Sequence, residues 1–294
     1  GPPPSPPGGG RPPPPRHIII TNVGPIAGVD DKDVVVLLPD GGESNDNLWE
    51  KTRAFIKRLA LDDDSVKPDV RFADYDYIFV GGDDVQLIPP NLQAIFNEPA
   101  TRSIHDAGGP MFIGTRFVSP PGGSVTLNDH SDIDNAVGYE RHGEFLSGSG
   151  YILNKQAVQL LNANIRNGKC WPGLRTHAED VYIAKCLEEQ SAVLPRDTKD
   201  AQGEDRVIVM TAGHMSPQAH DPDYTWWFRD FKPFNHPRGR DIVSRHLITF
   251  HYVSPDDVKR LTKQYLGGVP VPTPKPAVVA DAAVAPPPPS TAEG

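Results

Sequence analysis

Asp76-Tyr77-Ile78-Phe79-Val80-Gly81-Gly82-Asp83-Asp84 decides how this 294-residue chain is read. Four consecutive apolar residues, Tyr77-Ile78-Phe79-Val80, all aromatic or β-branched, have the length of a buried strand, and two glycines stop it. Two carboxylates follow at once. In open α/β sheets ligands bind outside the carboxyl ends of the strands, which is where Asp83 and Asp84 then stand. Adjacent carboxylates in that place suit a hard divalent ion that also bridges a diphosphate. Gly-Gly-Asp-Asp is equally good chemistry for a solvated turn.

The neighbouring segments alternate between strand and helix. Residues 17–21 and 33–38 are short β-branched runs readable as strands. Residues 47–60 switch to helical period, with Leu48, Thr52, Phe55, Ile56 and Leu59 on one face and Asp46 or Asn47 as the cap. Pro89-Pro90 opens a helix running to about Phe96, since proline suits a first turn. Residues 111–117 read as another strand, followed by a Gly-, Ser-, Asp- and Asn-rich loop to about residue 138, long enough to be functional. Helices over 154–165 (Ala157, Leu160 and Leu161 inward) and 178–189 (Val181, Ala184 and Leu187 inward) come next. Strands over 207–210 and 247–253 follow, and Asp256 caps a last helix to Tyr265. This alternation predicts an α/β fold.

Three later segments carry further chemistry. Ser147-Gly148-Ser149-Gly150 lets backbone approach a sugar or diphosphate closely, although it matches neither a dinucleotide fingerprint nor a P-loop. Glu179 and Asp180 open a helix. Acids are favoured there by the helix dipole alone, and a carboxylate fixed at that point also serves as a general base toward an acceptor hydroxyl. His251, within Thr249-Phe250-His251-Tyr252-Val253, is either a structural strand histidine or the residue that completes a metal shell. Trp226, Trp227, Phe228, Phe231 and Phe234 form an aromatic cluster suited to core packing or to the apolar face of a sugar.

Composition bounds the alternatives. Of 33 prolines, nine lie in residues 1–16 and eight in 268–294. Both ends read as disordered, polyproline II-prone segments flanking one folded domain over 17–267. A net charge of −9 without a basic, aromatic-interleaved stripe argues against a nucleic-acid partner. No apolar run approaches the length that crosses a bilayer. The two cysteines, Cys170 and Cys186, fit no zinc pattern and read as buried thiols or one disulfide.

Taken in order, these segments resemble inverting glycosyltransferases of family 31, most closely the core 1 β1,3-galactosyltransferase branch, with the Fringe N-acetylglucosaminyltransferases as cousins. The resemblance spans about residues 47–255. It begins at Leu48-Trp49-Glu50-Lys51-Thr52-Arg53-Ala54-Phe55 and continues through residues 76–84 and Asn91-Leu92. Residues 145–154, Glu179-Asp180, Cys186-Leu187-Glu188, Asp197-Thr198-Lys199-Asp200 and Phe250-His251-Tyr252-Val253 follow in the family's order.

The resemblance implies a GT-A-type, Rossmann-like α/β domain with a mixed sheet, a UDP-sugar donor and Mn²⁺. It puts Asp84 and His251 on the metal and Asp83 beside the ion or the donor ribose. The backbone of Gly148, Ser149 and Gly150 falls against the donor. Asp180 falls on the catalytic base with Glu179 beside it, and Cys170 and Cys186 fall on a disulfide pair. The implied reaction moves a hexose, galactose first, to a glycan or glycoprotein in β1,3 linkage. The implied setting is the Golgi lumen, as a type II membrane protein whose anchor is not in this chain, and a homodimer is open. A Fringe-like N-acetylglucosaminyltransferase and a non-catalytic, sugar-binding or chaperone-like relative are the alternatives. Four positions depart from the family: Gly82 replaces its first aspartate, Ile242-Val243 replace a cysteine pair, and Arg245 replaces an acid. The family's first strand and helix have no counterpart before residues 17–38.

Overall fold

The computed structural model describes residues 19–21, 34–36, 44–59, 75–118, 144–209 and 243–266. The aromatic cluster at 226–234, the loop beyond residue 118 and both proline-rich ends lie outside the described residues. The strand-like runs at 17–21 and 33–38 contain β1 (Ile19–Thr21) and β2 (Val34–Val36), which pair in parallel.

The central sheet has four strands in the order β3 (Tyr77–Val80), β8 (Tyr151–Asn154), β5 (Phe112–Gly114) and β9 (Arg196–Asp197). β8 runs antiparallel to both β3 and β5, while β9 is parallel to β5. A second sheet orders β10 (Val207–Ile208), β11 (Thr249–Phe250) and β4 (Gln86–Leu87), with β10 parallel and β4 antiparallel to β11. β6 (Arg116–Val118) and β7 (Glu144–Leu146) form an antiparallel pair. The fold is the mixed α/β arrangement expected of a glycosyltransferase domain.

Six helices are described: α1 (Leu48–Leu59), α2 (Pro89–Ile95), α3 (Pro99–Asp106), α4 (Lys155–Arg166), α5 (Glu179–Ser191) and α6 (Pro255–Leu266). Alternation along the strands sorts the core onto two faces. Phe112, Tyr151 and Leu153 pack with Trp49 and Ile56 of α1, Leu161 of α4 and Tyr182 of α5. Ile113 and Ile152, their neighbours in sequence, face the other way with Ile95, Met111, Val207 and Ile248. A strand buried on both faces reads as an unbroken apolar run, which is why Tyr151-Ile152-Leu153 gave no alternating signal.

Several expectations shift in detail. The inward face of α1 is centred on Trp49, Arg53, Phe55, Ile56 and Leu59, while Leu48 and Thr52 are half-buried. Trp49 brings much more apolar surface than Leu48, and Arg53 is accommodated by its ion pair with Glu50. The run at 111–117 is two strands, because Thr115 breaks the line: its hydroxyl bonds the Val207 carbonyl and its own carbonyl accepts from Ser147 N–H. Ser254, not Asp256, caps α6. Its hydroxyl accepts from Asp257 N–H at 3.2 Å and the Asp257 carboxylate accepts from Ser254 N–H at 3.2 Å, a reciprocal box. β4, α3 and β9 were not expected; each is too short or too polar for periodicity to register.

Cys170 and Cys186 form a disulfide with Cα atoms 5.5 Å apart, both side chains fully buried. It ties the loop before α5 to the middle of that helix.

Candidate active site

The turn after β3 is closed by Val85 N–H donating to the Gly82 carbonyl at 3.3 Å, so Gly-Gly-Asp-Asp is a turn that also presents a ligand group. Asp83 is exposed at its tip. Asp84 turns back: its Oδ1 lies 3.4 Å from His251 Nε2, with side-chain exposures of 41% and 13%. A Cβ on residue 82 would sit 2.7 Å from that same oxygen. Glycine at 82, where the family carries an aspartate, therefore leaves the space that the Asp84 carboxylate uses. Val253 N–H donating to the Asp84 carbonyl at 3.0 Å, and the β4–β11 pairing of Gln86 with Phe250, hold the turn and the histidine together.

Burial lowers the His251 imidazole below its ordinary range, while the Asp84 carboxylate and the Val209 backbone pull the other way. A neutral imidazole is the ligating form. Its Nδ1 is buried and makes no hydrogen bond of normal geometry among the described residues. The ring stacks on Tyr252, centroids 3.8 Å apart, and Tyr252 itself adopts a left-handed φ of 52°.

One carboxylate oxygen and one imidazole nitrogen, partly open to solvent, fit a divalent ion of the Mn²⁺ type that keeps further positions for water or diphosphate oxygens. Among the described residues no group of three or more His, Cys, Asp and Glu gathers. Asp84 and His251 are thus the two side chains that would hold such an ion.

The glycine-rich loop is the hub that joins this pair to Glu179 and Asp180. Ser147 and Ser149 are buried, their hydroxyls 2.6 Å apart, and Ser149 N–H donates to Ser147 Oγ at 3.0 Å. The serines thus shape the loop from within. The Ser149 carbonyl accepts from Thr249 Oγ1 at 3.0 Å, two residues before His251. Gly150, at φ +111°, passes so close to Phe79 that a Cβ would lie 2.5 Å from the ring. A Cβ on Gly148 would lie 3.5 Å from Asp180 Oδ2. One four-residue loop therefore touches the strand of the aspartates, the strand of the histidine and the start of α5.

At that start Ala178 provides no side-chain cap. Asp180 Oδ1 instead accepts from Val181 N–H at 2.8 Å, and Gly148 N–H also bonds the carboxylate. Glu179 Oε2 accepts from the Tyr151 hydroxyl at 3.2 Å. Both carboxylates are half-buried. Burial pushes Glu179 up to about 8, with the Asp180 charge adding to the rise and the Tyr151 hydrogen bond opposing it. Burial also pushes Asp180 up, to about 6, against the backbone N–H groups that stabilise its charged form. Such a pair titrates as a unit, and its lower step stands where a general base at neutral pH needs it.

Against known proteins, no family model matches the chain. Over 239 residues, 80% of its length, it is 22% identical to glycoprotein-N-acetylgalactosamine 3-beta-galactosyltransferase 1 of Xenopus laevis. The chain is similar to the core 1 galactosyltransferases of family 31. The match covers 56% of that protein, so the chain spans little more than half the length of the curated relative it matches. Among the described residues no helix is long and apolar enough to cross a membrane.

The expected site residues fall into three sets. Asp84 and His251 meet directly, while Asp180 lies beside Gly148 and Glu179 is held by the Tyr151 hydroxyl. Asp83 alone stands apart on the turn. Asp200 of the 197–200 motif is a structural partner: its Oδ1 accepts from the N–H groups of Gln202 and Glu204, and its Oδ2 accepts from Ser244 Oγ at 2.6 Å. Sequence reasoning missed Tyr151 and Thr249. Both sit next to a residue already singled out, Gly150 and Phe250 respectively, but an aromatic or threonine within an apolar strand looks like core.

Proposed function

We propose that the chain is the donor- and acceptor-handling part of an inverting, metal-dependent transferase that moves a hexose, most readily galactose, from a UDP-sugar to a glycan or glycoprotein in β1,3 linkage. The observation that carries this reading is the 147–150 loop. It contacts Asp180 on one side and, through Thr249, the strand of His251 on the other. The named activity of the Xenopus relative supports galactose as donor sugar and a glycoprotein as acceptor.

Asp84 and His251 would hold the divalent ion, which when bound supplies positive charge against the leaving diphosphate. The chain's own residues do the rest. Backbone at Gly148, Ser149 and Gly150 meets the donor closely because two of the three positions carry no side chain. The Asp180 carboxylate accepts the proton of the acceptor hydroxyl. The freed oxygen then bonds to the anomeric carbon from the face opposite the diphosphate, the carbon–diphosphate bond breaks with its electron pair, and the configuration inverts. The disulfide supports an oxidising compartment, consistent with a type II membrane protein in the Golgi lumen.

A second reading, a non-catalytic sugar-binding relative, draws on Gly82 and on a metal pair with two protein ligands. Transfer separates them. With UDP-galactose, Mn²⁺ and a panel of N-acetylgalactosamine- and N-acetylglucosamine-terminated acceptors, the first reading predicts galactosyl product that Asp180→Asn lowers by about 10²-fold or more. UDP binding without product from any acceptor, in a folded sample, supports the second.

A further inference from the structure

Tyr151 is 1% exposed, and a buried phenol needs a partner for its hydroxyl. That partner is Glu179. The ring lies edge-on to Phe112, centroids 5.6 Å apart at 76°. Its backbone is fixed by pairing with Val80 of β3, and β8 is flanked by β5 on the other side. The sheet therefore sets where the hydroxyl sits. Glu179 and Asp180 are consecutive residues of a helix, about 100° apart around its axis, so their side chains diverge unless something holds them. Asp180 is held by the N–H groups of Val181 and Gly148. Glu179 is held by Tyr151.

We propose that Tyr151 is a positioning residue for the carboxylate pair: its sheet-fixed hydroxyl holds Glu179 against Asp180, so that the two titrate as one unit instead of ionising independently. Among the described residues the groups acting on the pair are the Asp180 charge and the Tyr151 hydroxyl from β8 on Glu179, and the N–H groups of Val181, Gly148 and Asp180 itself on the Asp180 carboxylate. The charge of Asp180 acting on Glu179 agrees with this geometry. The base role of Asp180 rests on the transferase reading above. The hydrogen-bonded set does not, so its test runs without substrate.

Carbon-13 carboxyl shifts of Glu179 and Asp180 are followed against pH in the whole chain and in Tyr151→Phe, which keeps the ring and its packing. The native protein is expected to show both carbons responding to both steps. In Tyr151→Phe each carbon is expected to follow a single step of its own. If transfer is measurable, the acid limb of turnover changes from a two-step to a single-step form while KM for the donor holds. Unchanged two-step curves in a folded Tyr151→Phe overturn the proposal, as does a rise of the upper step with coupling intact, which makes the hydroxyl a solvating group only. Should that variant not fold, the Tyr151 Cζ resonance of the native protein decides. It must move with the Glu179 step, and a Cζ that ignores it overturns the proposal.

Discussion

Glycine at 150 is demanded twice, by its left-handed φ of +111° and by the Phe79 ring 2.5 Å from where a Cβ would stand. Gly150→Ala must therefore displace a buried aromatic or the loop itself. We expect a loss of about 1–3 kcal/mol of stability, read as a lower denaturant midpoint with unchanged slope. Gly148→Ala meets only a carboxylate oxygen at 3.5 Å, an ordinary contact, and is expected to fold normally. Asp84→Ala removes the oxygen that faces His251. It should weaken Mn²⁺ binding by at least tenfold, measured by electron paramagnetic resonance titration, whereas Asp180→Asn should leave that affinity unchanged.

The disulfide at the element scale pins the loop after α4 to the middle of α5, across a separation of 16 residues. Closing a loop of that size is worth about 3 kcal/mol in the chain-entropy view. The Cys170→Ser, Cys186→Ser double variant should melt several degrees lower than the native chain, and an unchanged melting temperature would mean the crosslink constrains nothing. Elements were legible in the sequence to very different degrees. Tyr77–Val80, α4 and α5 announce themselves by apolar length or by period. β4 and β9, at two residues each, exist because β11 and β5 offer them partners. Pairing of that kind is a tertiary fact that local propensity does not encode. The meeting of Asp84 with His251 was legible only through the family's ordered motifs, since they lie 167 positions apart in sequence and are brought together by the β4–β11 register and the Val253–Asp84 backbone bond.

For the molecule as a whole, the carboxylate pair sets a sign on the pH dependence of stability. Glu179 and Asp180 have folded values raised above their ordinary ones near 4, to about 8 and about 6. Between roughly pH 4 and 8 the folded protein thus holds more protons on these groups than the unfolded chain does, and stability falls as pH rises through that window. Glu179→Gln should flatten the fall between pH 6 and 8, read from denaturation midpoints at each pH. The α/β class and the order of the site segments were readable along the chain, because they follow from apolar runs and glycine stops. The convergence of those segments on the 147–150 loop was not, because it depends on Phe79, Thr249 and Tyr151, residues that read as ordinary core.

Calorimetric titration of UDP into the chain, with Mn²⁺ and again with chelator, tests the central claim that this loop and its flanking groups form a metal-dependent donor site. The account predicts binding with Mn²⁺ that chelator abolishes and that Asp84→Ala and His251→Ala each weaken at least tenfold. Binding that survives chelator and both substitutions, or no binding by a folded sample, would contradict it.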